Sequence, residues 1–174
     1  MRCLLDTDVL ALSPLAACIA TTFPGLANAP PATLERMARE GVHRKAPAGT
    51  LMFDEHSPCS GFPLVLAGSI RVLQRYPNGR ELQLYRVKPG ESCLLSGSCL
   101  LGQTNYAASG IAETDVEILI LPPTLFQALI AGDDSFRRHV FEVFGERLSA
   151  RDDAVERHPE HVPVPRNRIA GFRH

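Results

Sequence analysis

The sequence lacks the motifs by which several classes of enzyme and membrane protein are recognised. It contains no Gly-x-Ser-x-Gly, Walker-type phosphate loop, Cys-x-x-Cys or His-x-His pattern. These are the signatures of α/β-hydrolases, P-loop NTPases, thioredoxin-like proteins and cupin-type metal sites. No window of the length needed for a membrane-spanning helix is uniformly apolar. We therefore expect neither an enzyme nor a membrane partner.

Positive and negative charges nearly balance in this chain. The formal net charge at pH 7 is −1, so no global basic field points to nucleic acid. Lysine is scarce, with only Lys45 and Lys88 present. Between Ser92 and Phe136 there is neither lysine nor arginine. An anionic ligand of that segment would therefore have only backbone N–H groups and neutral side chains as partners.

The N-terminal region does not have the pattern of a signal peptide. An apolar stretch runs from Val9 to Ala20, but Asp6 and Asp8 precede it and only Arg2 supplies positive charge, whereas a signal peptide begins with a cationic region. We expect a cytoplasmic location. The cysteines, 5 in number, are irregularly spaced, which is not typical of a disulfide framework.

Short β-type runs alternate with Gly and Pro turns at nearly even spacing over residues 43–121. The Asn78-Gly79 pair is the strongest turn signal, because both residues tolerate a positive φ. In the last predicted strand Asp115 and Glu117 alternate with Val116, Ile118 and Ile120, which assigns an inner and an outer face. The pattern predicts a mainly β fold with flanking helices: an antiparallel β-roll or jelly roll of about eight strands, followed by a C-terminal helix.

The chain divides into four predicted segments. Residues 1–42 form an Ala- and Leu-rich segment of short helices broken at prolines. Residues 43–132 form the roll, and residues 133–150 form an amphipathic helix that begins at an Asp- and Ser-rich N-cap cluster. Residues 151–174 are rich in Pro, Arg and His, lack apolar periodicity, and are predicted to be a disordered tail.

The helix predicted over residues 133–150 carries an apolar stripe at helical spacing. Its members are Phe136, Val140, Phe141, Phe144 and Leu148. Such a stripe either packs on the roll of its own chain or forms a dimer seam. Both interpretations stay open, and the second predicts a homodimer.

Four short motifs occur in an order that one bacterial family uses. They are Phe53-Asp54-Glu55 followed by Pro58, then Leu64 to Val72, Asn78-Gly79-Arg80-Glu81, and Pro89-Gly90-Glu91. Together they resemble the effector domain of the Crp–Fnr transcription regulators. The resemblance implies a cyclic-nucleotide-binding-type β-roll, an effector site, a dimer helix and a helix-turn-helix domain after it. The sequence after Leu148 has no such pattern, so we expect no sequence-specific DNA binding by this chain.

The resemblance fails at the positions that hold a cyclic nucleotide. Nucleotide-binding relatives supply a Glu for the ribose and an Arg, followed by Ser or Thr, for the phosphate. The corresponding positions fall near Ser96-Gly97 and near Tyr106-Ala107. A phosphate requires the charge and forked geometry of arginine. We therefore expect neither cyclic AMP nor cyclic GMP to bind.

Cys93 and Cys99 lie in the apolar, Ser- and Gly-rich stretch where relatives hold their ligand, and we predict a loop there. The thiols are interpreted as buried small hydrophobes, as a redox- or ligand-responsive site, or as ligands of an iron–sulfur or haem group. Cys59 could add a third thiol or be an exposed spectator. The effector-site candidates are Gly90, Glu91, Cys93, Ser96, Gly97, Cys99, Tyr106 and Ala107.

These patterns predict the effector-sensing domain of a Crp–Fnr-like regulator that responds to a small-molecule or redox effector. No cofactor and no metal site is assigned from the sequence. The main alternative is a stand-alone binding or dimerisation module that acts through protein partners. A cupin-like enzyme is a third possibility, against which the missing His-x-His pair argues.

Overall fold

The computed structural model describes residues 12–156 of the protein, with side chains described as far as residue 146. The helices are α1 (Pro14–Thr22), α2 (Pro31–Glu40), α3 (Leu94–Gly102), α4 (Pro123–Gly132) and α5 (Asp134–Glu156), with a short 3-10 helix at Pro24–Leu26. The strands are β1 (Val42–Ala46), β2 (Leu51–Phe53), β3 (Phe62–Ala67), β4 (Ile70–Arg75), β5 (Glu81–Val87), β6 (Ser109–Ala112) and β7 (Val116–Leu121). No helix in the described range is both long enough and apolar enough to cross a bilayer.

The strands form two sheets that face each other as a roll. One sheet has the strand order β1-β7-β3 and the other has the order β2-β6-β4-β5. Neighbouring strands are antiparallel throughout the described range. The antiparallel roll with flanking helices is therefore confirmed. The described residues form seven strands, against the eight or so that the turn signals predict.

The β4–β5 hairpin turns at the predicted Asn-Gly pair, although not as a tight two-residue turn. The loop is closed by a hydrogen bond from Tyr76 N–H to the Arg80 carbonyl (2.9 Å). Of the loop residues only Gly79 has a positive φ, at 79°. This is the arrangement of a three-residue hairpin loop with glycine in the left-handed position. Asn78 contributes through its side chain, because Oδ1 accepts from Arg80 N–H (3.1 Å).

Strand β7 is central to its sheet, and both of its faces are buried. Val116 and Ile118 belong to the core between the sheets, whereas Leu119 and Leu121 belong to the core under the helices. The period-two alternation therefore separates two apolar cores rather than a core from solvent. Glu117, on the same face as Leu119, stays partly exposed and pairs with basic side chains of β1.

The helices on either side of the roll cover the outer face of the three-stranded sheet. Three phenylalanines meet there: Phe62 of β3, Phe126 of α4 and Phe136 of α5, with ring centroids 5.0, 6.1 and 5.8 Å apart. All three are fully buried, and aromatic side chains of this size dominate the energetics of such a core. The beginning of α5 is therefore anchored firmly on the roll.

Helix α5 begins at the predicted N-cap cluster, since Phe136 N–H donates to Asp133 Oδ1 (2.8 Å). It continues through Glu156, beyond the predicted end at residue 150. The residues that extend it include Ala, Arg and Glu and contain no Gly or Pro, so local propensity allows the helix to continue. The rest of the predicted tail, residues 157–174, lies outside the described residues.

The segment predicted as a Ser- and Gly-rich loop is helix α3, so that prediction is wrong. Its intrinsic helix propensity is low, because Ser96 and Gly97 lie within it. Cys99 is nevertheless buried in the core between the sheets and Leu100 in the core under the helices, and this tertiary burial supplies the stabilisation that propensity lacks. Gly97 permits close packing, because a Cβ there would lie 3.2 Å from the Phe144 ring of α5.

Candidate functional site

An aromatic pair fills the space between the two sheets. Tyr106, which follows α3, stacks on Phe53 of β2 with ring centroids 4.5 Å apart and an interplanar angle of 23°. The two residues are only 3% and 8% exposed. The Phe53 ring lies against the backbone of Gly110 in β6, where a Cβ would overlap the ring. The pair therefore forms part of the buried core between the two sheets.

The cavity beside this pair has a volume of about 20 Å³, which is room for a single water molecule. Its lining residues, all uncharged, are Met52, Phe53, Ser60, Gly61, Pro63, Ile70, Tyr106, Ile118 and Ile120. Pockets for small molecules are usually about 300–1,000 Å³ in volume. The described arrangement is therefore far smaller than a nucleotide site and offers no cation to a phosphate.

The hydroxyl of Tyr106 is enclosed by small polar groups. Burial raises the pKa of Tyr106 to about 12; the neighbouring Cys59 adds to the shift, and hydrogen bonding from Ser96 and Ser60 opposes it. Ser96 Oγ is fully buried but has no well-formed hydrogen bond among the described residues, so its contact with Tyr106 is loose. A buried hydroxyl without a full partner is a place where one polar ligand atom or a water would be stabilised.

The two thiols predicted at the effector site are both buried, but they have different neighbours. Cys93 Sγ lies 3.7 Å from the Tyr85 hydroxyl, and Cys99 Sγ donates to the Asn105 carbonyl (3.3 Å). Burial raises the pKa of Cys99 to about 11, and Cys59 contributes further. At neutral pH Cys99 is thus protonated and packs as a small hydrophobe. Within residues 12–156 no group of three or more His, Cys, Asp or Glu side chains is arranged to hold a metal ion.

Gly90 and Glu91 lie in a different place, a cleft of about 420 Å³ between the turn after β5 and helix α5. Gly90 packs so closely on the end of α1 that a Cβ would lie 2.6 Å from the Thr22 carbonyl oxygen. Glu91 accepts a hydrogen bond from Lys88 N–H (2.9 Å), which stabilises the Pro-Gly-Glu turn itself. The first role of these two residues is therefore to shape the turn that leads into α3.

A buried serine–histidine pair borders the same cleft. Ser92 Oγ and His139 Nε2 are 3.1 Å apart, and the two residues are 1% and 4% exposed. Burial lowers the pKa of His139, and the nearby Glu142 partly offsets this. The pair links the turn before α3 to the second turn of α5. His139 could not be recognised from the sequence, because its partner Ser92 is far away in the chain and no local pattern marks either residue.

The predicted effector-site residues do not form one site. Those around the roll interior and its helical wall are Cys93, Ser96, Cys99 and Tyr106. The others lie elsewhere: Gly97 faces α5, Ala107 is exposed, and Gly90 and Glu91 border the separate cleft.

The apolar stripe of α5 is divided between its own roll and solvent. Phe136 and Val140 are 0% and 1% exposed, and Phe144 is partly buried against the same core. Phe141, by contrast, is 61% exposed. Leu148 lies beyond the described side chains. Packing on the roll therefore accounts for three of these side chains, and the Phe141 side chain remains exposed.

Cys59, in the loop between β2 and β3, contacts α3 from the outside. It is half-buried, and its Sγ lies 3.7 Å from the Ser96 carbonyl oxygen. Together with Cys99 it lines a second cleft, of about 610 Å³, between this loop, α3 and α4. A sequence pattern could not reveal this, because the two cysteines are brought together only by the tertiary fold.

Two facing antiparallel sheets, a short helix between β5 and β6, and a long helix beyond β7 define a β-roll with flanking helices. The profile of the cyclic nucleotide-binding domain matches residues 43–133, just over half of the chain. The chain therefore belongs to the cyclic nucleotide-binding domain family. No curated protein matches it significantly.

Solved structures with the same fold include several bacterial regulators. One, from Eubacterium rectale and described as a regulator of the Crp/Fnr family, is 23% identical with a TM-score of 0.68 over 79% of this chain and 63% of that one. The catabolite activator protein of Thermus thermophilus is 24% identical with a TM-score of 0.64 over 76% and 62% of the two chains. The sensor domain of the regulator DNR from Pseudomonas aeruginosa is 14% identical with a TM-score of 0.62 over 80% and 90%.

These likenesses show the fold. The chain spans less than two thirds of the length of the Eubacterium and Thermus proteins, whereas it covers nearly all of the Pseudomonas sensor domain. What it shares with all three is the roll and its flanking helices.

Proposed function

We propose that this chain is the effector-sensing module of a Crp–Fnr-type regulator and that its effector is not a cyclic nucleotide. The observation that carries the proposal is the stacked pair of Tyr106 and Phe53. Tyr106 lies near the position where nucleotide-binding relatives place the phosphate-binding arginine, and its ring fills the interior instead.

The electrostatics of the interior favour the same conclusion. A cyclic phosphate carries a full negative charge, and burying a charge without a partner costs several kcal/mol or more. The cavity beside Tyr106 is lined only by uncharged residues. Arg86, a cation of the neighbouring β5, forms a bidentate pair with Glu113 (2.7 and 2.8 Å), so moving it to a phosphate would break that pair.

The contacts of α3 supply a route from an effector to α5. Helix α3 lies between the β2–β3 loop, from which Cys59 contacts it, and α5, against which Gly97 packs. A displacement of α3 by an effector would therefore press on Phe144. Coupling of this kind requires an element that both sites contact, and α3 meets that requirement.

Homodimerisation through α5 is part of the proposal. The helix has 23 residues, which is enough for about three heptads of a two-helix seam. Phe141 is 61% exposed, and an aromatic side chain exposed on a helix is a typical anchor of an interface. Its neighbours Phe136 and Val140 hold the helix on the roll and would keep such a seam in a fixed orientation.

The alternative, a module that acts through protein partners, is favoured by one feature of β5. Leu82 and Leu84 lie on one face of this edge strand and are 48% and 38% exposed. An edge strand with exposed apolar side chains is a site where another chain can add.

Calorimetry with cyclic AMP and cyclic GMP tests the proposal. We expect no heat of binding for either nucleotide at concentrations up to the millimolar range. Inorganic phosphate at the same ionic strength is the control for non-specific anion effects. Low-micromolar binding of either nucleotide would refute the exclusion, because it would require Tyr106 to leave its position on Phe53.

A further inference from the structure

We propose that Cys59 and Cys99 are a reversible thiol–disulfide pair that a small hydroperoxide oxidises through the cleft between the β2–β3 loop, α3 and α4. The expected consequence, a movement of α3, rests on the proposed sensory function, whereas the oxidation of the two thiols does not depend on it. The sequence suggested a pair of Cys93 and Cys99; the structure favours Cys59 and Cys99 instead.

The positions of the two sulfur atoms are constrained from both sides. Cys59 Sγ lies 3.7 Å from the Ser96 carbonyl oxygen of α3. Ser96 and Cys99 are three residues apart in that helix, so they share a face. From the other side, Cys99 Sγ is held at 3.3 Å from the Asn105 carbonyl, and Asn105 pairs with Pro58, the residue before Cys59.

Cys59 also acts electrostatically on Cys99. Burial is the main reason why the pKa of Cys99 is raised to about 11, and the charge and hydrogen bonding of Cys59 raise it further. Such an influence requires the two side chains to be near neighbours. Cys93 contributes less to the same shift, and its own sulfur contacts Tyr85 (3.7 Å).

The cleft gives an oxidant access to this pair. It has a volume of about 610 Å³, and both cysteines are among its lining residues, whereas Cys93 is not. The remaining lining is apolar or carries amide and hydroxyl groups, as in Gln103 and Thr124, without a charged side chain. A small neutral hydroperoxide can enter such a cleft without the desolvation penalty that a charged oxidant would meet.

The chemistry divides between the two thiols according to their exposure. Cys59, the more exposed, attacks the hydroperoxide; the O–O bond breaks, Cys59 becomes a sulfenic acid and the hydroperoxide leaves as an alcohol, or as water from hydrogen peroxide. The sulfur of Cys99 then attacks the Cys59 sulfur and expels the hydroxyl group as water. In total the two thiols lose two protons and two electrons, which reduce the hydroperoxide to an alcohol and water, or to two waters for hydrogen peroxide.

The protonated state of Cys99 makes the second step slow at neutral pH and faster in alkali. Only a small fraction of a thiol with a pKa of about 11 is ionised at pH 7. The rate of disulfide formation from the sulfenic acid should therefore rise nearly tenfold for each pH unit between about 7 and 9. A pair with ordinary thiols would level off near pH 8.5 or so.

The disulfide would change the helix that faces α5. It would tie the C-terminal half of α3 to the β2–β3 loop, and Gly97 on the same helix packs on Phe144. The consequence is therefore expected in the packing of α5 rather than in the roll interior.

The test uses the full chain, treated with hydrogen peroxide, alkylated and digested with trypsin. Cys59 lies in one tryptic peptide, and Cys93 and Cys99 lie together in another, because no Lys or Arg separates them. We expect the two peptides to be linked with the loss of two hydrogens. The linkage should persist in Cys93→Ser, should be absent in Cys59→Ser and Cys99→Ser, and should be reversed by dithiothreitol.

Three outcomes would overturn the proposal: an internal Cys93–Cys99 linkage, unlinked peptides with sulfinic acids, or no oxidation at all. Circular dichroism of the serine variants confirms that they are folded. If the nucleotides bound in calorimetry, the proposed function would fail while the disulfide result would stand. If the linkage were absent and the nucleotides did not bind, only this inference would fail.

Discussion

Tyr106 stacks on Phe53 at a centroid distance of 4.5 Å, so that one ring from the segment after α3 and one from β2 close the interior of the roll. Both rings belong to the buried cluster between the two sheets. The interior is therefore part of the hydrophobic core, and its contribution to stability can be measured.

Replacement of Tyr106 by Ala should destabilise the fold strongly. Tyr106 is 3% exposed, and removal of a buried aromatic ring costs about 3–5 kcal/mol. The matched control is Tyr76→Ala, because Tyr76 is 45% exposed and should change stability by no more than about 0.5 kcal/mol. Urea unfolding followed by circular dichroism gives both values. Equal effects of the two substitutions would show that Tyr106 does not fill the core.

The roll could be predicted from the sequence because hairpins are specified by residues that are close together in the chain. Asn78-Gly79 marks the β4–β5 turn, and the alternation in β7 marks its faces. Helix α3 could not be predicted in this way. Its Ser and Gly residues favour a loop locally, and the helix is stabilised by burial of Cys99 and Leu100 against elements distant in the chain.

The candidate site was predictable only in part, for a related reason. The absence of Lys and Arg between Ser92 and Phe136 can be read directly from the sequence. The approach of Cys59 to α3 and the pairing of Ser92 with His139 (3.1 Å) join residues that are far apart in the chain. Neither contact leaves a periodic or motif-like signal.

Replacement of Gly110 in β6 by Ala should test the position of the Phe53 ring, which stacks on Tyr106. A Cβ at this position would overlap the Phe53 ring, and overpacking of this kind costs about 1–3 kcal/mol. Gly132→Ala is the control, since nothing lies within 4 Å of its added Cβ. Thermal unfolding should show a lowered Tm for Gly110→Ala alone. The addition of Phe53→Leu should recover part of the loss; if it does not, the clash lies elsewhere.

The buried His139 should make the fold less stable in mild acid. Its pKa in the folded state is lowered from 6.5, so the unfolded chain binds the proton more readily. The stabilising contribution is complete above about pH 6.5 and is lost as the pH falls below this value, by at most about 1.4 kcal/mol per pH unit. Glu142 partly opposes the lowering of the pKa, which narrows the pH range over which stability is lost.

Unfolding in urea at several pH values between 7.5 and 5.5 measures this dependence. His139→Gln should flatten the profile relative to the unmodified chain. His43→Gln is the control, because His43 is exposed and pairs with Glu117 at the surface (2.7 Å). If the free energy of unfolding of the His139→Gln variant depended on pH just as steeply, the pH dependence would have to come from other groups.

Replacement of Phe141 by Asp should weaken self-association without unfolding the chain. Phe141 is 61% exposed, so its ring contributes little to the fold, and we expect a change of no more than about 0.5 kcal/mol in the free energy of unfolding. A charge in the middle of an apolar seam, by contrast, is costly once it is desolvated. Analytical ultracentrifugation over a range of concentrations should show a dimer for the unmodified chain and a monomer for the variant. Ala131→Asp places the same charge on an exposed position of α4 and should leave the dimer intact. If the unmodified chain and the Phe141 variant sediment alike as monomers, α5 serves only to cover the roll, and the exposed ring is not an interface between two copies of this chain.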